Sequence, residues 1–313
     1  FGSFVSDGAV AYGYLLAFLL LTPVVVLRGI PAGIEKLSKI LMPSLFILMV
    51  ILIIRGVTLP GGWEGVKYLF LPRWEDFNGT ALFNAMGFCF FSLSLGAGTM
   101  ITYGTYLNPK ADLPSSVGWV AFLGIMSSIL GGLMVMPSVF AFHLDPSAGP
   151  GLTFVTMPAV FAQMPFGQLF AVFFYVCLMV AALTSSVSML EACTALLTQT
   201  FMVKRNAAIL VTTVLAALVG LAATLSFGAW NDVLFFGKNV FDLLDYVTSN
   251  VGMPLSTFGI AIAAAWVAWK TTSKELQSAR TLSPAILSTI RILIGVVSPL
   301  FVLVVAAGGL GLF

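Results

Sequence analysis

Hydroxyls and glycines set in the middle of an uncharged run are the residues of this chain best suited to chemistry. The stretch Phe90-Phe91-Ser92-Leu93-Ser94-Leu95-Gly96-Ala97-Gly98-Thr99 lies within residues 77–109, a run without Asp, Glu, Lys or Arg. About 20 apolar residues cross the ~30 Å hydrocarbon core of a bilayer, so this run is long enough to span one. Glycine is a poor helix former, and Ser and Thr offer the backbone competing hydrogen bonds. A helix is therefore expected to open here near mid-membrane. Carbonyls freed at that depth must line a cavity or meet a ligand, because lipid cannot satisfy them. The alternative is a Ser/Gly face that packs helix on helix.

A second such stretch is Ala181-Ala182-Leu183-Thr184-Ser185-Ser186. At about 100° per residue, positions 181, 184 and 185 share one helix face. Hard oxygens without formal charge suit a weakly held alkali cation better than Zn²⁺ or Mg²⁺. Hydroxyls bonded back to carbonyls one turn earlier are the alternative. Glu191 projects from nearly the same face two turns on, either to pair with a donor and lock the bundle or to act in ion passage. Asp242 and Asp245 sit in the opening turns of another apolar segment, where acidic residues complement the helix dipole. Arg291 lies close enough to a span end to snorkel.

The elements that must position these residues are membrane helices. The chain has 313 residues, 59% hydrophobic and 8% charged, with mean hydropathy +1.06 and net charge +2. That composition excludes a soluble domain and gives no basic surface for nucleic acid. Cys89, Cys177 and Cys193 lie in apolar segments without metal-ligand spacing and read as packing thiols. His143 falls at a span end without a catalytic partner, and no nucleophile–base pair or phosphate loop points to an enzyme.

Eight hydrophobic segments are expected, over residues 9–27, 37–58, 81–107, 115–142, 167–200, 207–230, 240–269 and 284–313. Residues 150–164, apolar but punctuated by prolines, read as a short helix in a loop that dips back over the bundle. If the loop between the first two segments is cytoplasmic, that side holds Arg28, Lys36, Lys39, Lys110, Lys204, Arg205, Lys270, Lys274 and Arg280. The other side holds Arg55, Lys67, Arg73 and Lys238. Nine cations against four orient the chain and place both its ends outside. An outward start at Phe1, without a signal peptide, implies an odd number of spans upstream.

These motifs carry a resemblance. The run from Phe90 to Gly98 with Ile101-Thr102-Tyr103 resembles the unwound sixth helix of the neurotransmitter:sodium symporter family, especially its bacterial amino-acid transporters. Arg28-Gly29-Ile30 with Gly33-Ile34-Glu35-Lys36, Leu183-Thr184-Ser185-Ser186, and Phe241-Asp242-Leu243-Leu244-Asp245-Tyr246 are similar to stretches at its fifth, eighth and tenth helices, in the same order. The resemblance implies an all-α polytopic fold of inverted five-helix repeats, here lacking its first three helices. Residues 1–80 then hold the last two helices of the first repeat and an outer loop, residues 81–270 the second repeat, and residues 271–313 an additional helix.

By position, the resemblance implies that Phe91 is the aromatic lid over a bound amino acid. Carbonyls around Phe91 and Ser92, with the Ser94 hydroxyl, hold its ammonium. Ala97, Ser185 and Met189 line the substrate pocket, and Gly96 and Gly98 permit the helix break. Ala181, Thr184 and Ser185 match half of one sodium site, Ser92 a ligand of the other, and Asp245 the outer gate carboxylate. Three features depart from the family pattern. Leu123-Gly124-Ile125 stands where an Asn or Asp usually serves the first sodium site. Ser127 matches a chloride-associated serine, whereas Phe88 replaces the usual glutamine, so chloride dependence is left open. The first and third helices, which carry the remaining ligands, are absent.

The implied function is sodium-coupled symport of an amino acid or related small amine across a bacterial plasma membrane. The alternative is a non-transporting fragment or membrane assembly subunit. Substrate identity, ion stoichiometry and oligomeric state are not readable from the residues.

Overall fold

The structure, a computed structural model, describes residues 2–108, 110–146 and 152–309. It describes side chains at all of these except 30–32, 76, 80, 83, 84, 87, 90, 91 and 309. Among the described residues seven helices are long and apolar enough to cross a bilayer. In chain order the elements used below are α1 (Gly8–Leu27), α2 (Gly33–Val57), α3 (Gly79–Ser92), α4 (Thr99–Thr105), α5 (Leu113–Ala141), α6 (Met157–Gln163), α7 (Gly167–Thr200), α8 (Arg205–Leu225), α9 (Val240–Val267) and α10 (Pro284–Gly308). The spans are α1, α2, α5, α7, α8, α9 and α10.

Eight spans were expected, and the difference lies in the third. Residues 81–107 do not form one helix but two short ones, α3 and α4, parted at residues 93–98. The cause is local: three residues there hold positive φ, namely Ser94 at 52°, Gly96 at 84° and Gly98 at 78°. A right-handed helix cannot continue through them.

Local chemistry accounts for several helix starts. Asp7 accepts the Val10 N–H at 3.1 Å ahead of α1, and Asn239 accepts the Asp242 N–H at 2.8 Å ahead of α9. Ser283 caps α10, with Pro284 in the first position, where its missing N–H costs no helical bond. The expected loop helix over 150–164 is present as a wide turn, Leu152–Thr156, leading into α6. Residues 150 and 151 lie outside the described residues.

The chain packs as two units, Phe1–Arg73 with Ile125–Asn231, and Trp74–Gly124 with Asp232–Phe313. In the first unit α7 is the hub and packs against α1, α2, α6 and α8. Its core joins Met49 and Leu52 of α2, Met134 and Val139 of α5, Met157 and Val160 of α6, and Phe174 and Cys177 of α7. The loop helix is thus built into the interior, with Met157 and Val160 fully buried. His143 is exposed in the turn after α5, as the sequence suggests.

Polar contacts pin α1, α7 and α8 together. Thr22 and Ser186 share a hydroxyl–hydroxyl bond at 3.0 Å. Glu191, with no solvent exposure, accepts a two-pronged bond from Arg205, Nη1 to Oε1 at 3.0 Å and Nη2 to Oε2 at 2.7 Å. The same Nη2 donates to the Val26 carbonyl at 3.1 Å. Of its two expected roles, Glu191 takes the locking one, and Arg205 serves as its counter-charge.

In the second unit α10 packs along α9 and α3. Arg291 is exposed and has partners on the neighbouring span. Its Nε donates to the Ala265 carbonyl at 3.1 Å, and its guanidinium carbon lies 5.4 Å from the Trp269 ring centroid and 5.8 Å from that of Trp266. Trp266 Nε1 donates in turn to Gly295 O at 3.0 Å. The contacts join two π-helical turns, Ala263–Val267 and Leu293–Val297. The carbonyl and the ring faces hold the guanidinium in place.

Candidate functional site

The opening between α3 and α4 is held by side chains on either hand of it. Leu95 packs with Met86 and Phe258 against Val302 and Val305 of α10. Gly96 faces α9 so closely that a Cβ there would fall on Met253 O and Thr257 Oγ1. Thr257 itself donates to Met253 O at 2.8 Å, which fixes its hydroxyl against the break. Glycine at 96 therefore answers both a left-handed backbone and a close approach.

Residues 93–98 leave the helical ladder, so carbonyls of the preceding turn lose their intrahelical partners. The last bond of α3 runs from Leu93 N to Cys89 O at 3.0 Å. Beyond the break, Thr102 satisfies Gly98 O twice, through N and Oγ1, each at 3.0 Å. Ser92 is exposed, Ser94 is half-buried, and neither hydroxyl makes a hydrogen bond within the described residues. Ala97 is half-buried in the opened segment. The backbone of Phe91 lies in the last turn of α3, and its side chain, the expected lid, lies outside the described residues. The arrangement supplies neutral oxygen acceptors, which suit an ammonium or an alkali cation.

In the first unit, Ala181, Thr184, Ser185 and Met189 ride on α7, which runs unbroken through them. The α-helical ladder is continuous through all four positions. The Thr184 hydroxyl donates to Ala181 O at 2.9 Å and also approaches Val180 O at 3.2 Å. This is the back-bonded arrangement, and it orients the oxygen. A hydroxyl that gives its proton to the helix turns its lone pairs outward, where a cation can take them. Ser185 is exposed and unbonded within the described residues, and Met189 is 52% exposed.

Asp245 is exposed near the start of α9, where Oδ1 accepts the Ser249 hydroxyl at 2.9 Å. The π-helical turn Tyr246–Gly252 follows directly. Asp242 sits in the turn capped by Asn239, in keeping with its dipole role. Gly124, in the departing Leu123-Gly124-Ile125 stretch, lies against the Leu93 side chain.

Sequence reasoning missed three participants. Thr257 was one residue among many on an apolar helix, and only its contact with Gly96 reveals it. Asn239 as a cap had a signal, an Asn three residues before Asp242. The Thr99 hydroxyl, 5% exposed at the first turn of α4, has no partner among the described residues, which no local pattern announces.

Spanning helices and one span opened by left-handed residues at its middle define a polytopic α-helical membrane protein with a discontinuous helix, an architecture used by secondary transporters. The chain belongs to the sodium:neurotransmitter symporter family, whose model matches residues 3–310. It is 39% identical over 262 residues to YhdH, an uncharacterized sodium-dependent transporter of Bacillus subtilis, across 84% of this chain and 58% of that protein. It is 35% identical over 268 residues to an uncharacterized sodium-dependent transporter of Haemophilus influenzae, across 85% of this chain and 59% of that one. The crystal structure of MhsT in complex with L-phenylalanine matches with TM-score 0.88 and 34% identity, covering 98% of this chain and 70% of that chain. The chain thus spans under two thirds of the length of the two curated relatives. Family and fold are those of secondary transporters, which move solutes without converting them.

Proposed function

We propose that this chain is the greater part of a sodium-coupled symporter for an amino acid or related small amine, in a bacterial inner membrane. The observation that carries the reading is the opening at residues 93–98, set by positive φ at Ser94, Gly96 and Gly98. In this reading carbonyls near Phe91 and Ser92, with the Ser94 hydroxyl, receive the substrate ammonium, while Ser92 also serves one sodium ion. Ala181 O and the Thr184 and Ser185 hydroxyls receive the other. Phe91 lids the pocket, and Asp245 gates it from outside. In chain order, residues 1–80 supply the end of the first repeat, 81–270 the second, and 271–313 an added helix, which together correspond to the family's helices four to eleven.

Specificity follows from Ala97. A small side chain there leaves room for a large apolar or aromatic substrate, and Met189 is flexible enough to adapt to one. The relative MhsT was crystallised with L-phenylalanine, which fits this reading. Sodium entering down its gradient supplies the work, about 2.3 kcal/mol per charge for each ~100 mV, and alternating access couples it to the substrate.

Uptake of labelled amino acids into proteoliposomes holding the complete gene product tests the proposal. Uptake in external Na⁺ should exceed uptake in choline at least tenfold, and equal uptake would remove sodium coupling.

A further inference from the structure

We propose that the groove between the end of α1 and the start of α2 binds the headgroup and upper acyl chain of an anionic phospholipid. The groove has a volume of about 200 Å³ and carries Arg28 and Lys36 at its mouth, with Val24, Leu37 and Ile40 along its wall. Its shape comes from the backbone. Gly29 turns the chain at φ 76°, and Gly33 comes so close to α1 that a Cβ would fall on Val25 O. That approach holds the two helix ends together and leaves Arg28 and Lys36 on its lips.

Both cations are exposed, and neither side chain has a hydrogen bond, ion pair or ring contact within the described residues. The neighbouring Lys39 is different, since Glu35 takes it at 2.6 Å. The mouth therefore holds two uncompensated positive charges at the end of two membrane spans. Several cations elsewhere at span ends are engaged, Arg205 with Glu191, Arg280 with Asp112 at 3.7 Å, and Arg55 over the Phe170 ring, whereas Arg28 and Lys36 share one groove. A guanidinium and an ammonium lining one groove suit a phosphodiester, the first by paired bonds and the second as a point charge.

The wall selects a lipid over a free anion. Val24 is 53% and Ile40 61% exposed, and both lie on span-forming helices, so the groove passes from charge to hydrocarbon as a phospholipid does. Both cations lie on the more basic side of the chain, where anionic lipid headgroups are recognised by pockets of this kind. The groove shares no residue with the opened helix, and a lipid could occupy the groove whether or not the chain transports.

Native mass spectrometry of the complete gene product, purified and titrated with phosphatidylglycerol or phosphatidylcholine, provides the test. Phosphatidylglycerol should be retained at least fivefold better. The Arg28→Gln/Lys36→Gln double variant should lose that preference, Lys36→Arg should keep it, and 10-fold excess inorganic phosphate should not displace the lipid. Should the double variant fail to fold, Ile40→Glu, which sets a repelling carboxylate in the wall, should abolish the preference in its place. Equal retention of the two lipids, a preference unchanged in these variants, displacement by phosphate, or tighter capture of an acidic peptide than of the lipid would each overturn the assignment.

Discussion

Two glycines, both left-handed, play unequal parts at the opened helix. At Gly98 an added Cβ meets nothing within 4 Å, so Gly98→Ala brings only backbone strain, about 1 kcal/mol. At Gly96 the same methyl also strikes Met253 O and Thr257 Oγ1, and the cost should at least double. Thermal melting of the two variants in detergent compares them, and equal losses would mean that α9 does not press on the break. On α7, Thr184→Val removes a hydroxyl whose hydrogen bonds lie within the helix, a modest loss of roughly 1 kcal/mol in stability. If the oxygen also serves a cation, the Na⁺ concentration for half-maximal uptake should rise about tenfold, a factor equivalent to ~1.4 kcal/mol. A purely structural hydroxyl would leave that concentration unchanged. Enlarging the pocket residue, Ala97→Phe, should weaken tryptophan uptake well before alanine uptake. Parallel losses for both would remove Ala97 from the pocket.

Among the elements, what could be read in the sequence followed local chemistry. The break was legible because Ser94, Gly96 and Gly98 cluster in an uncharged run, and glycine is the residue that reaches positive φ without strain. α7 was legible to its ends, residues 167–200, because Pro165 before it and the charged pair Lys204-Arg205 after it bound a long apolar run. The π-helical turns were not legible, since Ala263–Val267 and Leu293–Val297 read as apolar helix and the polar residues of Tyr246–Gly252 carry no signal particular to a wide turn. Long-range pairing set the fates of Arg291 and Glu191. Arg291 pairs with carbonyl and rings 22–26 positions away, and Glu191 finds Arg205 across a helix turn-round. The Glu191–Arg205 pair makes a prediction at this scale. Arg205→Ala strands a fully buried carboxylate, and after allowance for the 35% exposure of Arg205 the loss should be about 2–4 kcal/mol. Adding Glu191→Leu to it should recover much of that stability, as read by melting temperature. A double variant no better than Arg205→Ala would show that the pair is not coupled.

For the whole molecule, membership of a sodium symporter family and a bilayer-spanning fold are established, and the coupling chemistry is the proposal. The proposed site roles rest on oxygen atoms without charge: carbonyls released by the opened helix, and on α7 the Thr184 hydroxyl, whose proton is already spent on the helix, with the Ser185 hydroxyl beside it. Such groups bind a cation weakly enough to release it, as a carrier requires, where a carboxylate cluster would hold it. The most direct test is equilibrium binding of ²²Na⁺ to the purified complete gene product, with the Thr184→Val/Ser185→Ala variant alongside. Saturable binding that K⁺ fails to displace, and that falls at least tenfold in affinity in the variant, is the predicted result. Binding absent from the wild type, or equal in the two proteins, would contradict it.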